Sequence, residues 1–283
     1  MTHILIPVFN DWISLEKLLL EIDNLNLKDA YKIIVINDSS TEKAHGFKKE
    51  IEIVNLRINQ GHQKAICVGL NYIFDKYGAS EVIIMDSDGE DIPRYINDFL
   101  SLNASRKEKI IFAKRTKRKE SFIFKLYYLI FKRLFGLLTG KEIGFGNFCL
   151  IPKTLHHSVC FLPDIWVHFA AGIIKSRLPY LTINTERGIR YFGKSKMNFT
   201  HLVIHGLSAI SVFLDVVFVR LLIFSSAFFA FLLSVSFISL TIKLVFEKAS
   251  PGWTTTIMFA STILVFQVVV LLVVLSFQII NNK

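Results

Sequence analysis

Cysteine is scarce in this chain and has no partner pattern. Its 283 residues include three, Cys67, Cys149 and Cys160, with no C-x-x-C spacing. The odd count speaks against a self-contained disulfide framework and the missing spacing against zinc or redox work, so free thiols in a reducing compartment are expected. Met1-Thr2-His3 runs directly into the strand-like Ile4-Leu5-Ile6 without a basic or long apolar stretch, so no signal peptide is expected and the following segment is expected in the cytosol. No internal repeat or low-complexity tract interrupts the chain. Acidic residues are in deficit, 23 against 33 Lys and Arg, for a net charge of +10.

Charge of either sign disappears toward the carboxyl end. Residues 221–242 form a run of 22 without a charge, and residues 249–282 form a run of 34. Each exceeds the ~20 apolar residues that a helix needs to cross a bilayer core, and neither carries the polar stripe of a buried core helix. Between them lie the charged Lys243–Lys248 separator and the turn signal Pro251-Gly252. The expected organisation is a domain over residues 1–200, an amphipathic helix over 201–219, and two membrane helices within 220–283, at about 221–242 and 254–280. With basic residues concentrated before the first span, the expected location is the cytoplasmic (inner) membrane, with the large domain and Lys283 both cytosolic.

Within residues 1–200, short apolar runs alternate with segments of helical period, predicting a mostly parallel α/β sheet covered by helices. The expected strands are His3–Val8, Lys32–Asn37, Ile51–Leu56, Glu81–Asp86, Lys109–Lys114 and Gly146–Ile151, and the expected helices are Ser14–Leu25, Gln63–Lys76 and Pro93–Ser101. Ligands of such sheets bind beyond the carboxyl ends of the strands. Those ends are polar here: Pro7-Val8-Phe9-Asn10-Asp11, Asn37-Asp38-Ser39-Ser40 and Asp86-Ser87-Asp88-Gly89-Glu90-Asp91. The last is unfavourable packing material, and it suits a hard divalent cation such as Mg²⁺ or Mn²⁺.

Five motifs, in order, resemble those of glycosyltransferase family 2. IPVFND resembles the first-strand motif, INDSS the V-D-D-G-S motif, RINQGHQKAI the R-N-x-G segment and MDSDGED the metal-binding acidic stretch. RYFGKSKMNF is similar to the R-x-x-G-x-S-K motif of the branch that glycosylates polyprenyl phosphates. The resemblance covers roughly residues 3–200. It implies a GT-A, Rossmann-like nucleotide-binding fold and an inverting, metal-dependent transfer from a nucleotide diphosphate sugar to a membrane polyprenyl phosphate. It also implies that Pro7, Val8, Asn10, Asp11, Asp38, Ser39, Gly61, Lys64, Asp86 and Ser87 bind the nucleotide, with Asp88 and Glu90 on the metal. Arg115, Arg118, Asn147, Arg190, Ser195 and Lys196 would meet donor or acceptor phosphates, and Asp88, Arg115 and Asp164 would take part in catalysis. Chemically, the metal would stabilise the charge that a departing nucleotide diphosphate gains.

The pattern departs from that branch at Gly144-Phe145-Gly146-Asn147-Phe148, where two acidic positions are neutral. A phosphate oxyanion needs no base, whereas an alcohol acceptor does. Asp164 in Leu162-Pro163-Asp164-Ile165-Trp166 is the alternative candidate, either as that base or as the N-cap of a helix over Ile165–Lys175, with His168 read as a packed core histidine. The runner-up activity is therefore transfer to a hydroxyl of a glycolipid or polysaccharide precursor. A non-catalytic, membrane-tethered nucleotide-binding scaffold is the alternative of another class. Nucleotidyl transfer is disfavoured, because no glycine-rich loop follows the first strand.

Residues 106–133 carry 11 Lys or Arg against Glu108 and Glu120, interleaved with aromatics from Phe122 to Phe135. That composition suits a helix on an anionic lipid surface better than a nucleic-acid patch, so no nucleic-acid partner is expected. A second stripe, Phe199, Val203, Leu207, Ile210, Leu214 and Val217, has helical spacing. A homo-oligomer is compatible with these features.

Overall fold

The structure is a computed structural model that describes residues 1–27, 30–44, 46–47, 49–105, 108–115, 122–193, 199–245 and 252–281. Arg118, Ser195 and Lys196 lie outside the described residues. Two compact units are present, one comprising Met1–Arg133 with Lys141–Val212, the other Leu134–Gly140 with Phe213–Lys283.

The first unit is built on seven strands: β1 (Thr2–Val8), β2 (Tyr31–Asn37), β3 (Glu52–Asn55), β4 (Glu81–Ile84), β5 (Ile110–Arg115), β6 (Cys149–Ile151) and β7 (Tyr180–Thr185), in the spatial order β3-β2-β1-β4-β6-β5-β7. Pairs β1/β2, β1/β4, β2/β3 and β5/β7 are parallel, while β6 runs antiparallel to both β4 and β5. The near-continuous apolar run of β1 follows from this placement, since a strand covered on both faces cannot afford a polar side. Ile4, Ile6 and Val8 enter one core and Leu5 the other.

One core is closed by α1 (Trp12–Asp23) and α3 (Tyr95–Ser105), through Leu15, Leu18, Ile22 and Phe99. The opposite core is closed by α2 (His62–Tyr77), α5 (Lys153–Cys160) and α6 (Phe169–Ser176), through Ile66, Leu70, Ile73, Val159 and Phe169. α2 lies close on β1: a Cβ at Gly69 would sit 2.3 Å from Leu5 Cδ1. His156 completes that side. Its Nδ1 accepts from Ser80 N (3.1 Å), so its Nε2–H donates to Leu70 O (3.1 Å), and a buried imidazole is satisfied in its neutral form.

The structure differs from the sequence expectation in several places. β7 has no counterpart among the expected strands, because Tyr180–Thr185 is a half-exposed edge segment rich in polar residues. The helix expected at Ile165–Lys175 begins instead at Phe169, after a separate 3-10 turn at Pro163–Trp166, and its N-cap is His168 rather than Asp164. The amphipathic helix expected over 201–219 is cut: α7 spans Phe199–Ser211 and a new helix starts at Leu214. Along α7, Phe199, Ile204 and Leu207 are exposed, whereas Gly206 and Ala209 are buried.

The second unit consists mainly of α8 (Leu214–Leu244) and α9 (Trp253–Asn281), both long and apolar enough to cross a membrane. The expected spans fall inside them. The end of α4 (Phe122–Thr139) belongs to this unit. There Phe135 meets Phe213 edge to face at 5.7 Å, and Arg220 donates to the carbonyls of Gly136 and Leu137. A guanidinium on the last carbonyls of a helix satisfies acceptors that have no intrahelical partner.

Candidate active site at the carboxyl ends of the strands

The site begins where β1 and β2 end. Asn10 adopts a left-handed conformation (φ 49°) and accepts from Thr41 N at 2.8 Å, joining the two loops. Asp38 N donates to Val8 O (2.8 Å), and the Asp38 carboxylate accepts from Gln60 N (2.7 Å) and Gly61 N (2.9 Å). Asp38 is buried, and it orients the chain into α2. That presents Gly61, His62, Gln63 and Lys64 to a cavity of ≈ 880 Å³, a size suited to a small-molecule ligand.

The acidic turn after β4 forms the floor of this cavity. Asp88 Oδ1 accepts from Glu90 N (2.9 Å), Gly89 supplies φ 85°, and Asp91 Oδ2 accepts from Asp86 N (3.1 Å) to close the turn. Segment 187–191 is strapped across it by Gly188 N to Glu90 O and Tyr191 N to Asp88 O, both 2.9 Å. Three arginines answer the carboxylates. Arg115, at the end of β5, reaches Asp91 (2.9 Å) and Glu90 (3.3 Å). Arg187 grips both oxygens of Glu90, at 3.0 and 2.8 Å. Arg190 bridges Asp88 (2.8 Å) and Asp11 (3.0 Å).

Five carboxylates (Asp11, Asp86, Asp88, Glu90, Asp91) thus face three guanidiniums, a formal charge of −2. The deficit shows in the ionisation of the group. Burial and the neighbouring Asp88 push Asp86 well above the usual carboxylate range, and burial with the Asp86 charge pushes Asp91 up to about 6. Glu90 is held low by Arg187, followed by Arg115, against its own burial. Asp86 Oδ1 is buried without a hydrogen-bond partner, 3.3 Å from His62 Nε2.

An orphaned carboxylate oxygen and a charge of −2 fit a divalent cation. Among the described residues no three His, Cys, Asp or Glu side chains converge as a complete ligand set, which fits a cation completed by substrate phosphates rather than caged by protein. Asp88 and Asp86 are the residues placed to hold it. Glu90, the other expected ligand, has both oxygens engaged by Arg187, as Asp88 has its two engaged by Glu90 N and Arg190, so either would have to exchange a partner to take a cation.

Among the residues expected from sequence, Pro7, Asp11, Gly61, Lys64, Asp86, Ser87, Asp88, Glu90, Arg115, Asn147 and Arg190 all line this one cavity. Val8, Asn10, Asp38 and Ser39 are not among the lining residues; Asn10 and Asp38 instead hold the neighbouring loops through their side chains. Asp164 is also outside the lining, paired with Lys175 at 3.2 Å. Asp91, expected as part of the acidic cluster, lines it too, as do residues with no individual expected role: His62, Arg187, Trp166 and His205. The i, i+3 spacing of Arg187 with Arg190 was the available signal; nothing local marked the histidines.

A doubly wound α/β sheet with carboxylates and guanidiniums gathered beyond its strand ends defines the class of α/β proteins that bind phosphate-bearing ligands at that edge. Within that class, the chain belongs to Glycosyl transferase family 2, whose model matches residues 3–154. It is 26% identical over 214 residues to an uncharacterised glycosyltransferase of Synechocystis, covering 70% of this chain and 65% of that one. It is also 26% identical over 162 residues to the uncharacterised glycosyltransferase YkcC of Bacillus subtilis, covering 53% and 49%. The chain therefore spans between about half and two thirds of the length of these curated relatives. In fold it is similar to glucosyl-3-phosphoglycerate synthase from Mycobacterium tuberculosis, solved with Mn²⁺, UDP and phosphoglyceric acid, at a TM-score of 0.56, 14% identity, and coverage of 77% and 78%. It is likewise similar to mannosyl-3-phosphoglycerate synthase from Rubrobacter xylanophilus, at a TM-score of 0.54, 16% identity, and coverage of 75% and 72%.

Proposed function

We propose that this protein transfers a sugar, with inversion, from a nucleotide diphosphate sugar to a polyprenyl phosphate at the cytosolic face of a membrane. The observation that carries the reading is one cavity holding Asp86, Asp88, Arg115, Arg187 and Arg190 together, with Asn147 in its wall and Asp164 outside it. The Mn²⁺ and UDP named with the mycobacterial synthase support a divalent cation and a nucleotide donor here.

In this reading Pro7, Asp11, Gly61 and Lys64 receive the nucleotide, and Asp88 with Asp86 binds Mg²⁺ or Mn²⁺. When bound, the cation neutralises the charge that the leaving diphosphate gains. Arg115 and Arg190 supply bidentate donors to phosphate oxygens. An acceptor phosphate oxygen forms the new bond to the anomeric carbon as the bond from that carbon to the donor diphosphate breaks, releasing the nucleotide diphosphate. No proton has to leave the acceptor, which agrees with the neutral Asn147 and with carboxylates already engaged by arginines. Helices α8 and α9 would anchor the enzyme, with the first unit and the carboxyl end in the cytosol.

The test incubates the protein, in membranes or detergent with Mn²⁺, with labelled nucleotide sugars and a polyprenyl monophosphate. Label is expected in the organic phase. Trp166 in the cavity wall offers a face for a sugar ring and favours the second reading, transfer to a glycan or glycolipid hydroxyl; label on such an acceptor with none on the polyprenyl phosphate would establish it instead. Turnover of neither, with donor still bound, is the scaffold outcome.

A further inference from the structure

The same cavity is lined by His168 and His205, where α6 and α7 meet. Here the Nε2 atoms of His168 and His205 are 3.2 Å apart, with ring centroids separated by 4.4 Å. The protons on this pair can be assigned by elimination. Ala171 N–H can only donate, and its acceptor is His168 Nδ1, at 3.2 Å. His168 therefore carries its proton on Nε2 and donates it to His205 Nε2, which leaves the His205 proton on Nδ1. An imidazolium at either position would set two N–H groups against each other or against Ala171. Burial favours the same state, holding His168 down at about 3 and lowering His205 as well.

Every lone pair of the two rings is thus in use, so neither can take a proton from an acceptor. What remains is one donor, His205 Nδ1–H, on a side chain that lines the cavity and with no partner among the described residues. Two first-turn amides of α6 are already engaged, Phe169 N with Gln63 Oε1 (2.7 Å) and Ala171 N with His168 Nδ1.

We infer that His205, held in a single tautomer by His168, donates a hydrogen bond to a phosphate oxygen of the acceptor and so forms an acceptor-phosphate subsite on α7. The inference rests on the glycosyl-transfer reading above and deepens it. A donor with no basic atom left serves an oxyanion rather than a hydroxyl that must be deprotonated. The surface of α7 indicates a lipid source for that phosphate. Phe199 and Leu207 are 62% and 57% exposed and stand outside the lining that takes in Ile204 and His205, so the helix turns apolar side chains away from the face that carries His205.

The test compares His205→Phe and His205→Gln with the parent protein in detergent. Initial rates are measured against a polyprenyl monophosphate and, in a separate arm, against glycerol phosphate, and donor binding is followed by thermal shift. His205→Phe should raise the KM for the lipid phosphate roughly tenfold, the loss of one hydrogen bond to a charged group, with the donor-induced shift unchanged. Gln, which keeps an N–H donor, should recover most of it. His168→Asn preserves the cap on Ala171 but not the tautomer lock, and should raise the same KM by a smaller factor. An unchanged acceptor KM in His205→Phe, an equal loss of donor binding, or a Gln variant as impaired as Phe overturns the inference while leaving phosphate glycosylation intact. Turnover of glycerol phosphate in preference to the lipid overturns the lipid source. If the parent protein labels only hydroxyl acceptors, the parent reading has failed, and that result is visible before any variant is made.

Discussion

Arg190 Nη1 lies 2.8 Å from Asp88 Oδ2 while its Nη2 lies 3.0 Å from Asp11 Oδ2. One guanidinium thereby engages the Asp88 carboxylate and ties the end of β1 to the turn after β4. A donor arriving with its cation would have to exchange this pair, passing Arg190 from Asp88 to the diphosphate.

Arg190→Ala should therefore strengthen the response to Mn²⁺ alone and weaken the response to nucleotide with Mn²⁺. Thermal shift or calorimetry on the purified protein measures both. Parallel changes in the two would remove the exchange. Asp88→Asn should abolish metal-dependent turnover with the melting temperature roughly kept, and undiminished turnover would take Asp88 out of the mechanism.

Asp91 closes the acidic turn and pairs with Arg115 while almost wholly buried. Asp91→Ala leaves the Arg115 guanidinium without its shortest partner and the Asp86 amide without an acceptor. Breaking a buried pair from one side costs about 3–5 kcal/mol, reduced here because Glu90 also holds Arg115. A denaturant titration showing a loss well under 1 kcal/mol would contradict this.

Gly188 has no room for a side chain, since a Cβ there would stand 2.1 Å from Gly89 O. Gly188→Ala should lift the strap from the acidic turn, and the donor KM should rise while helix content stays the same. Normal donor kinetics would show that the strap is dispensable.

His3 is buried against Tyr77, ring centroids 4.8 Å apart, with neither ring nitrogen hydrogen-bonded. Burial, then the neighbouring His156, the amino terminus and Lys32, lowers its pKa from 6.5 to about 4, against the opposing pull of Glu52. Its folded value is the lower one, so the unfolded chain takes up the proton first as pH falls. The stabilisation is complete above about pH 6.5 and is lost between there and about pH 4. Unfolding midpoints measured across that range should fall with pH, and His3→Phe should flatten the slope. An identical slope in the variant would place the effect elsewhere, for instance at His168.

The three native cysteines are buried, and burial raises their thiol pKa values, so they should react slowly with maleimides in the folded protein. Lys248→Cys and Lys283→Cys then report topology in intact cells. Position 248 should label from outside and position 283 only after permeabilisation. The reverse pattern would put the catalytic unit on the other side of the membrane.

Much of the architecture was legible because burial imposes a period. The Ile4 to Val8 run, the α2 stripe through Ile66, Leu70 and Ile73, and the uncharged runs after Arg220 each announce an element that must be covered by protein or lipid. β7 escaped because an edge strand has little to bury. The break between α7 and α8 escaped because apolar spacing continues across residues 212 and 213, where only backbone geometry departs from the helix.

The sequence by itself determined the chemical inventory and its order: carboxylates at the ends of β1 and β4, arginines after β5 and β7, and two apolar runs to follow. Only the tertiary structure decided which of these groups meet. Asp38 became a support for the Gln60–Gly61 backbone, Asp164 was carried out of the cavity, and Arg187, His62 and His205 were brought into it. The reason is physical. Local spacing governs which face of a strand or helix a residue occupies, but contacts such as Asp11 with Arg190, 179 residues apart, depend on how the sheet orders its strands.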